Sequence, residues 1–169
     1  MDQDAITRYV ANTFSGVEVV VASPEGGAPE IAWGDTFFIY EKSKKQFLFA
    51  TIVTKDYGEY DCASNLDRPG VYRLNIGIGR QTYEVLFGPQ STSQRAGQAD
   101  PDYDFAALDR LLPHPVYGAM SWVSVLNPSD STFHSLDPLL AEAFELTARR
   151  STKQRSSSRS PLAAYGRRG

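Results

Sequence analysis

His114 stands between Pro113 and Pro115 in RLLPHPVYGAMSWVSVLN, residues 110–127, and it is one of only two histidines in the chain. Each proline fixes its own φ and drives the residue before it toward extended backbone, so the imidazole is held at a rigid corner. Such a corner could aim the ring into a cleft walled by Tyr117 and Trp122, with the imidazole acting as a general base near neutral pH. The plainer reading has His114 hydrogen-bonding a carbonyl beside the core. No serine or cysteine can be assigned from spacing as its nucleophile; Ser121 and Asp109 lie nearby in sequence, but closeness along the chain says little about triad geometry.

Arg73 and Asn75 form the second chemically capable set. In VYRLNIGIG they alternate with Tyr72, Leu74, Ile76 and Ile78, the period of a strand with one apolar face. The apolar face predicts core and the other predicts solvent. On an open sheet face or in a cleft, a guanidinium and an amide could hold a carboxylate or phosphate. The alternative is a polar outer face with Arg73 in a cross-strand ion pair.

Weaker candidates follow. GIGRQT, residues 77–82, runs from a strand into a helix and could turn backbone N–H groups and Arg80 toward an anion, although it is neither G-x-G-x-x-G nor a P-loop. Its glycines equally suit a bulge and a tight strand-to-helix turn. In NLDRPG, residues 65–70, Asp67 pairs with Arg68 or caps the turn while Pro69 and Gly70 set the chain direction. Asp100, Asp102 and Asp104 alternate like the start of a calcium loop but lack its glycine and distant glutamate, so Asp104 reads as a helix cap. Met120 and Trp122 read as core. One cysteine, Cys62, and two histidines supply no spaced zinc set, and no metal or cofactor is expected.

These residues need elements to hold them. DAITRYVANTFSG places Ile6, Tyr9, Val10 and Phe14 on one helical stripe, with Asp2 or Asp4 as cap and Gly16 as stop. VEVVVA, WGDTFFIY, FLFATIV, VYRLNIGIG and SWVSVL read as strands, the second and third joined by the charged EKSKKQ turn. The run 47–53 is apolar on both faces and belongs in the middle of a sheet. KDYGEYDCASNLDRPG reads as a polar loop, PQSTSQRAGQADPDY as a long loop, and NPSDSTFHS as a connection. RQTYEVLFG and DFAALDRLL read as short helices, and LDPLLAEAFELTARR as a longer one starting near Asp137. Clustered strands with helices around them predict a single compact α+β domain over 1–150, a mainly antiparallel sheet of about five strands with helices packed on one side.

Charge divides the chain. Seven Lys/Arg and no acid lie from Arg149 onward, leaving ten Lys/Arg against all twenty acids before it. The Ser/Arg-rich stretch 151–169 reads as a disordered basic tail. Arg149, Arg150, Lys153, Arg155 and Arg159 are its candidates for contacting nucleic acid. The opening MDQDAITRYV has no basic, apolar leader, and no eighteen apolar residues run together, so a cytoplasmic protein without membrane contact is expected.

WGDTFFIY, FLFATIVT, NLDRPGVYRLNIGIGRQTYEVLFG, DFAALDRLLPHPVYGAMSWVSVLNP and PLLAEAFEL together resemble a family of uncharacterised actinobacterial proteins known only as a domain of unknown function, over roughly residues 4 to 150. More distantly, the ending of the domain is similar to MmcQ/YjbR-like domains. That resemblance implies a compact α+β fold and association with DNA.

Three functions remain open. One is a non-enzymatic binding module that takes a small anionic molecule or a protein partner near Arg73, Asn75, His114, Tyr117 and Trp122. The others are a DNA-associated protein using its basic tail, and an enzyme with His114 as general base.

Overall fold

The computed structural model describes residues 1–40, 47–89 and 99–157, the side chains of 154–157 excepted. Helix α1 (Gln3–Thr13) begins where Asp2 accepts a hydrogen bond from the Ala5 amide at 2.7 Å, and it buries Ile6 and Val10. Strands β1 (Val17–Val21), β2 (Thr36–Tyr40), β3 (Leu48–Val53) and β4 (Arg73–Gly77) follow, then helix α2 (Arg80–Phe87). After β5 (Leu112–Pro113) and β6 (Trp122–Leu126) come α3 (Asp130–Ser135) and α4 (Asp137–Ser157).

The six strands make one sheet in the order β1-β2-β3-β4-β6-β5, each neighbouring pair antiparallel. The fold is α+β, with the helices on one side. There Ile6 and Val10 of α1, Tyr83 of α2, Phe133 of α3, and Leu140 and Ala143 of α4 close over Phe38, Ala50, Ile52, Leu74, Ile76, Val123 and Val125. Each large apolar side chain so buried contributes about 1.5–3 kcal/mol relative to exposure. β3 lies third in the order, as its two-sided apolarity predicts. Its register with β2 shifts between Phe38 and Ile39, and Phe49 and Ala50 are both buried in the helix-covered core.

Several expectations are corrected. DFAALDRLL is not a helix: Asp104 accepts the Ala106 amide in a local turn, Leu108 bridges Leu126, and the chain then joins the sheet as β5, the strand the sequence did not announce. Pro113 is tolerated there because β5 is an edge, where a missing N–H leaves no ladder partner unbonded. Conversely, NPSDSTFHS contains α3, capped by Ser129 accepting from the Thr132 amide and anchored by fully buried Phe133. Asp67 accepts from the Asp56 amide, while Arg68 donates to the carbonyls of Asn65, Ser64 and Ala106, so the two do not pair. Helix α4 continues to Ser157, past the 150 boundary. The EKSKKQ turn and most of the 89–103 loop lie outside the described residues, as does everything from 158 on.

The largest correction concerns the face of the sheet away from the helices. Alternation on β4 predicts that face to be wet, yet Arg73 is 0% exposed and Asn75 2%. The loop 54–72 and the corner 113–121 fold over it. Leu66 of that loop packs with Val53 and Leu126, and Asp56 holds it in place by accepting the Leu66 amide at 2.9 Å.

Candidate functional site

Burying a guanidinium is costly unless its charge is paired and its hydrogens are bonded. Arg73 meets the first condition and nearly all of the second: its charge is paired and all but one of its N–H groups find an acceptor. Asp61, on the covering loop, receives Nη1 through Oδ1 at 2.9 Å and Nη2 through Oδ2 at 2.5 Å, a two-pronged pair. Nη1 also donates to Ser64 Oγ at 2.8 Å, and Nε donates to Asn75 Oδ1 at 2.9 Å. Asn75 passes the network on, donating to Thr51 Oγ1 at 3.0 Å on the neighbouring strand, its register partner. The carboxylate thus comes from a loop rather than from across the sheet.

His114 is tied at every polar atom of its backbone. Its amide donates to the Trp122 carbonyl, and its carbonyl accepts the Gly118 amide, both at 2.9 Å. Its Nδ1 accepts the amides of Val116 and Tyr117 at 3.1 and 3.0 Å, so the ring bonds two N–H groups of its own turn instead of a carbonyl. Nε2 lies 3.3 Å from Arg73 Nη2. Burial, and secondarily the Arg73 charge, hold the imidazole pKa well below its ordinary value. The ring is therefore neutral around pH 7. With its Nδ1 lone pair engaged by two amides, it has no free basic nitrogen to take a proton there.

Above this floor is a cavity of about 330 Å³. Arg73, Asn75, His114, Tyr117 and Trp122 all line it, drawn from β4, the corner and β6. Gly77 explains how Trp122 takes its place: the two face each other across β4 and β6, and a Cβ at Gly77 would stand 3.0 Å from the indole. Tyr117, left by the rigid corner beside the His114 ring at 4.9 Å, meets Tyr60 hydroxyl to hydroxyl at 3.3 Å. That bond and burial push the Tyr117 hydroxyl up to about 12. Tyr57 closes another side, its hydroxyl donating to buried Asp35; burial chiefly, and then Asp35, raise its pKa. Burial in turn raises the Asp35 carboxyl against the lowering effect of its hydrogen bonds from Tyr57 and Thr54. The two protein charges on the lining, Arg73 and Asp61, neutralise each other, and the remaining lining is uncharged and largely aromatic or aliphatic.

Other sequence candidates fall elsewhere. Arg80 is exposed on α2 and pairs with Glu84 at 2.7 Å. The start of α2 faces Glu142, whose carboxylate accepts from Thr82 Oγ1 at 2.8 Å and would crowd any Cβ at Gly79, so a protein carboxylate already occupies the place proposed for an anion. Met120, expected in the core, is 66% exposed beside the cavity, and Trp122 is only half buried. Among the described residues no group of three or more His, Cys, Asp or Glu side chains could hold a metal ion, and no helix is long and apolar enough to cross a membrane. Arg149 and Arg150 are exposed on α4, Arg149 paired with Glu145 at 2.9 Å, and Lys153 is exposed one turn on. Arg155 lies in the same helix, its side chain not described, and Arg159 lies outside the described residues.

Sequence reasoning missed Asp61, Thr51, Ser64, Tyr57 and Tyr60. A signal existed for the first: an arginine inside a strand with buried neighbours demands a carboxylate, and the acidic loop just ahead of β4 is its nearest source. Which acid in that loop would answer, Asp56, Glu59, Asp61 or Asp67, has no sequence signature.

No curated protein and no solved structure matches the chain. One family model does, over residues 1–156, and by that match the chain belongs to a family of unknown function, DUF6194.

Proposed function

We propose that this chain is a non-enzymatic binding module that holds a small molecule in the cavity on the loop-covered face of the sheet. The observation that carries the reading is the convergence of aromatic walls on an internally neutral polar floor around about 330 Å³, the size and character of a small-ligand site. Engagement of the His114 Nδ1 lone pair by two amides argues against proton transfer by that ring. Thermal-shift screening of a chemically diverse fragment library tests it, run on the wild type and on Leu48→Trp and Met120→Trp, which fill the cavity from its exposed rim. Ligands that raise the melting temperature of the wild type but of neither filled variant are expected. Shifts that persist unchanged in both, or no shifts at all, would remove the cavity as the binding site.

A second reading has the basic end of α4 docking on nucleic acid, a contact suggested by the charge of that end and in line with the DNA association that the MmcQ/YjbR resemblance implies. One observation favours it: Arg149, Arg150 and Lys153 occupy exposed positions on the last turns of α4. Salt-sensitive anisotropy of a labelled random duplex, lost in an Arg149→Glu, Arg150→Glu, Lys153→Glu variant, is the expected result of that reading. Equal binding by the variant would dismiss it.

A further inference from the structure

The contact between His114 and Arg73 contains a mismatch that the protein leaves unresolved. Two backbone N–H groups point at Nδ1, so Nδ1 carries the lone pair. In a neutral imidazole the hydrogen then resides on Nε2. Arg73 Nη2, 3.3 Å from Nε2, has only N–H groups to offer; one of them goes to Asp61, and a guanidinium accepts nothing. Two donors therefore face each other across 3.3 Å, between residues 4% and 0% exposed, both on the cavity lining. The opposite tautomer makes matters worse, since it sets an Nδ1 hydrogen against two amide hydrogens.

We infer that the cavity takes an uncharged, flat, largely apolar molecule bearing one carbonyl-type oxygen, which seats between the Nε2–H of His114 and the Nη2–H of Arg73. This rests on the cavity being a ligand site. An oxygen at that place accepts from both donors and resolves the mismatch. Lack of charge follows from the floor: Arg73 and Asp61 already cancel, His114 is neutral, and an anion would add an uncompensated buried charge near Asp61 and Asp35. Flatness follows from Trp122, Tyr117, Tyr57 and Phe37 on the walls, which offer ring faces and edges. The ligand differs from the anion expected of an exposed Arg73, because the guanidinium is committed to Asp61.

Three probes of nearly equal shape separate the possibilities: acetophenone, ethylbenzene and benzoate, each titrated into the full ¹⁵N-labelled chain while the amides of Val116 and Tyr117 are followed by NMR. Acetophenone is expected to bind roughly tenfold more tightly than ethylbenzene, the effect of one hydrogen bond that satisfies buried donors. Benzoate should be the weakest. Long-range ¹H–¹⁵N spectra of the His114 ring, distinguished from His134 by a His134→Gln variant, should show the Nε2–H tautomer in the free protein. They should also show the Nε2 proton moving when acetophenone binds. Equal affinity for ethylbenzene and acetophenone overturns the inference while leaving a ligand cavity standing. A preference for benzoate overturns it in favour of an anion site. An Nδ1–H tautomer, or no response of Val116 and Tyr117 to any probe at millimolar concentration, also overturns it. The fragment screen on the filled variants decides separately whether the cavity binds anything.

Discussion

On β4, Leu74 and Ile76 point toward the helices and Arg73 and Asn75 point toward the loops, and none of the four is more than 2% exposed. The two faces reach the same burial by different means. Toward the helices, α1 and α4 lay apolar stripes on apolar strands, and the gain is the sum of many small contacts that tolerate repacking. Toward the loops, burial depends on specific partners for the charged and polar groups: Asp61 and Ser64 for the guanidinium, Asn75 for its Nε, Thr51 for the amide of Asn75. A surface closed by area degrades gradually when altered. One closed by a network fails when a single member is lost, and it leaves room for a cavity where loops rather than helices meet the sheet.

Breaking the pair tests that contrast most severely. Asp61→Ala leaves the buried Arg73 charge without its partner and should cost about 3–5 kcal/mol by urea denaturation, whereas Arg73→Met with Asp61→Leu should cost far less, because no charge is left unpaired. Equal losses in the two proteins would mean the face is held by shape, as the other one is.

On the helical side, Leu140→Ala should cost about 2–5 kcal/mol, set by how far α4 can settle into the space, while leaving acetophenone binding intact. Loss of binding in that variant would show the two faces to be coupled through the sheet.

Acid gives a smaller effect with a definite sign. His114 resists protonation in the folded chain because it is buried beside Arg73, whereas in the unfolded chain it takes a proton below about pH 6.5. Its stabilising contribution is thus complete above that pH and falls as pH drops below it, by up to about 1.4 kcal/mol per unit. Asp35, whose carboxyl is pushed up by burial, works in the opposite direction and nearer the carboxylate range. Denaturation at pH 7.5, 6.5 and 5.5 checks this; stability that rises between 6.5 and 5.5 would contradict it.

Thr51→Val should have the smallest effect, about 1 kcal/mol, by removing the acceptor of the Asn75 amide without changing volume much. A loss as large as that of Asp61→Ala would show the network to be more cooperative than its separate bonds.

Much of the helical face was legible because it depends on local periodicity. The α1 stripe, the two-sided run of β3 and the apolar positions of β4 each follow from repeats of residues close in sequence. The corner at His114 was legible as a rigid element for the same reason, since proline acts on its own residue and the one before it. Short segments such as DFAALDRLL and STFHS were misread because nine residues or fewer carry little helical preference of their own, and the edge of β6 or the buried Phe133 decides.

The sequence by itself determined an antiparallel α+β domain, the apolar face of its central strands, a rigid His114 and the position of Arg73 on the side away from the core. Only the tertiary structure decided that this other side is buried as well, that Asp61 rather than a neighbouring acid meets Arg73, and that Met120 faces outward while Trp122 lies over Gly77. The physical reason is range. Periodicity and backbone restriction act within a few residues, whereas the cover of the second face is a polar loop that reads like any solvated loop until a long-range ion pair makes its burial affordable.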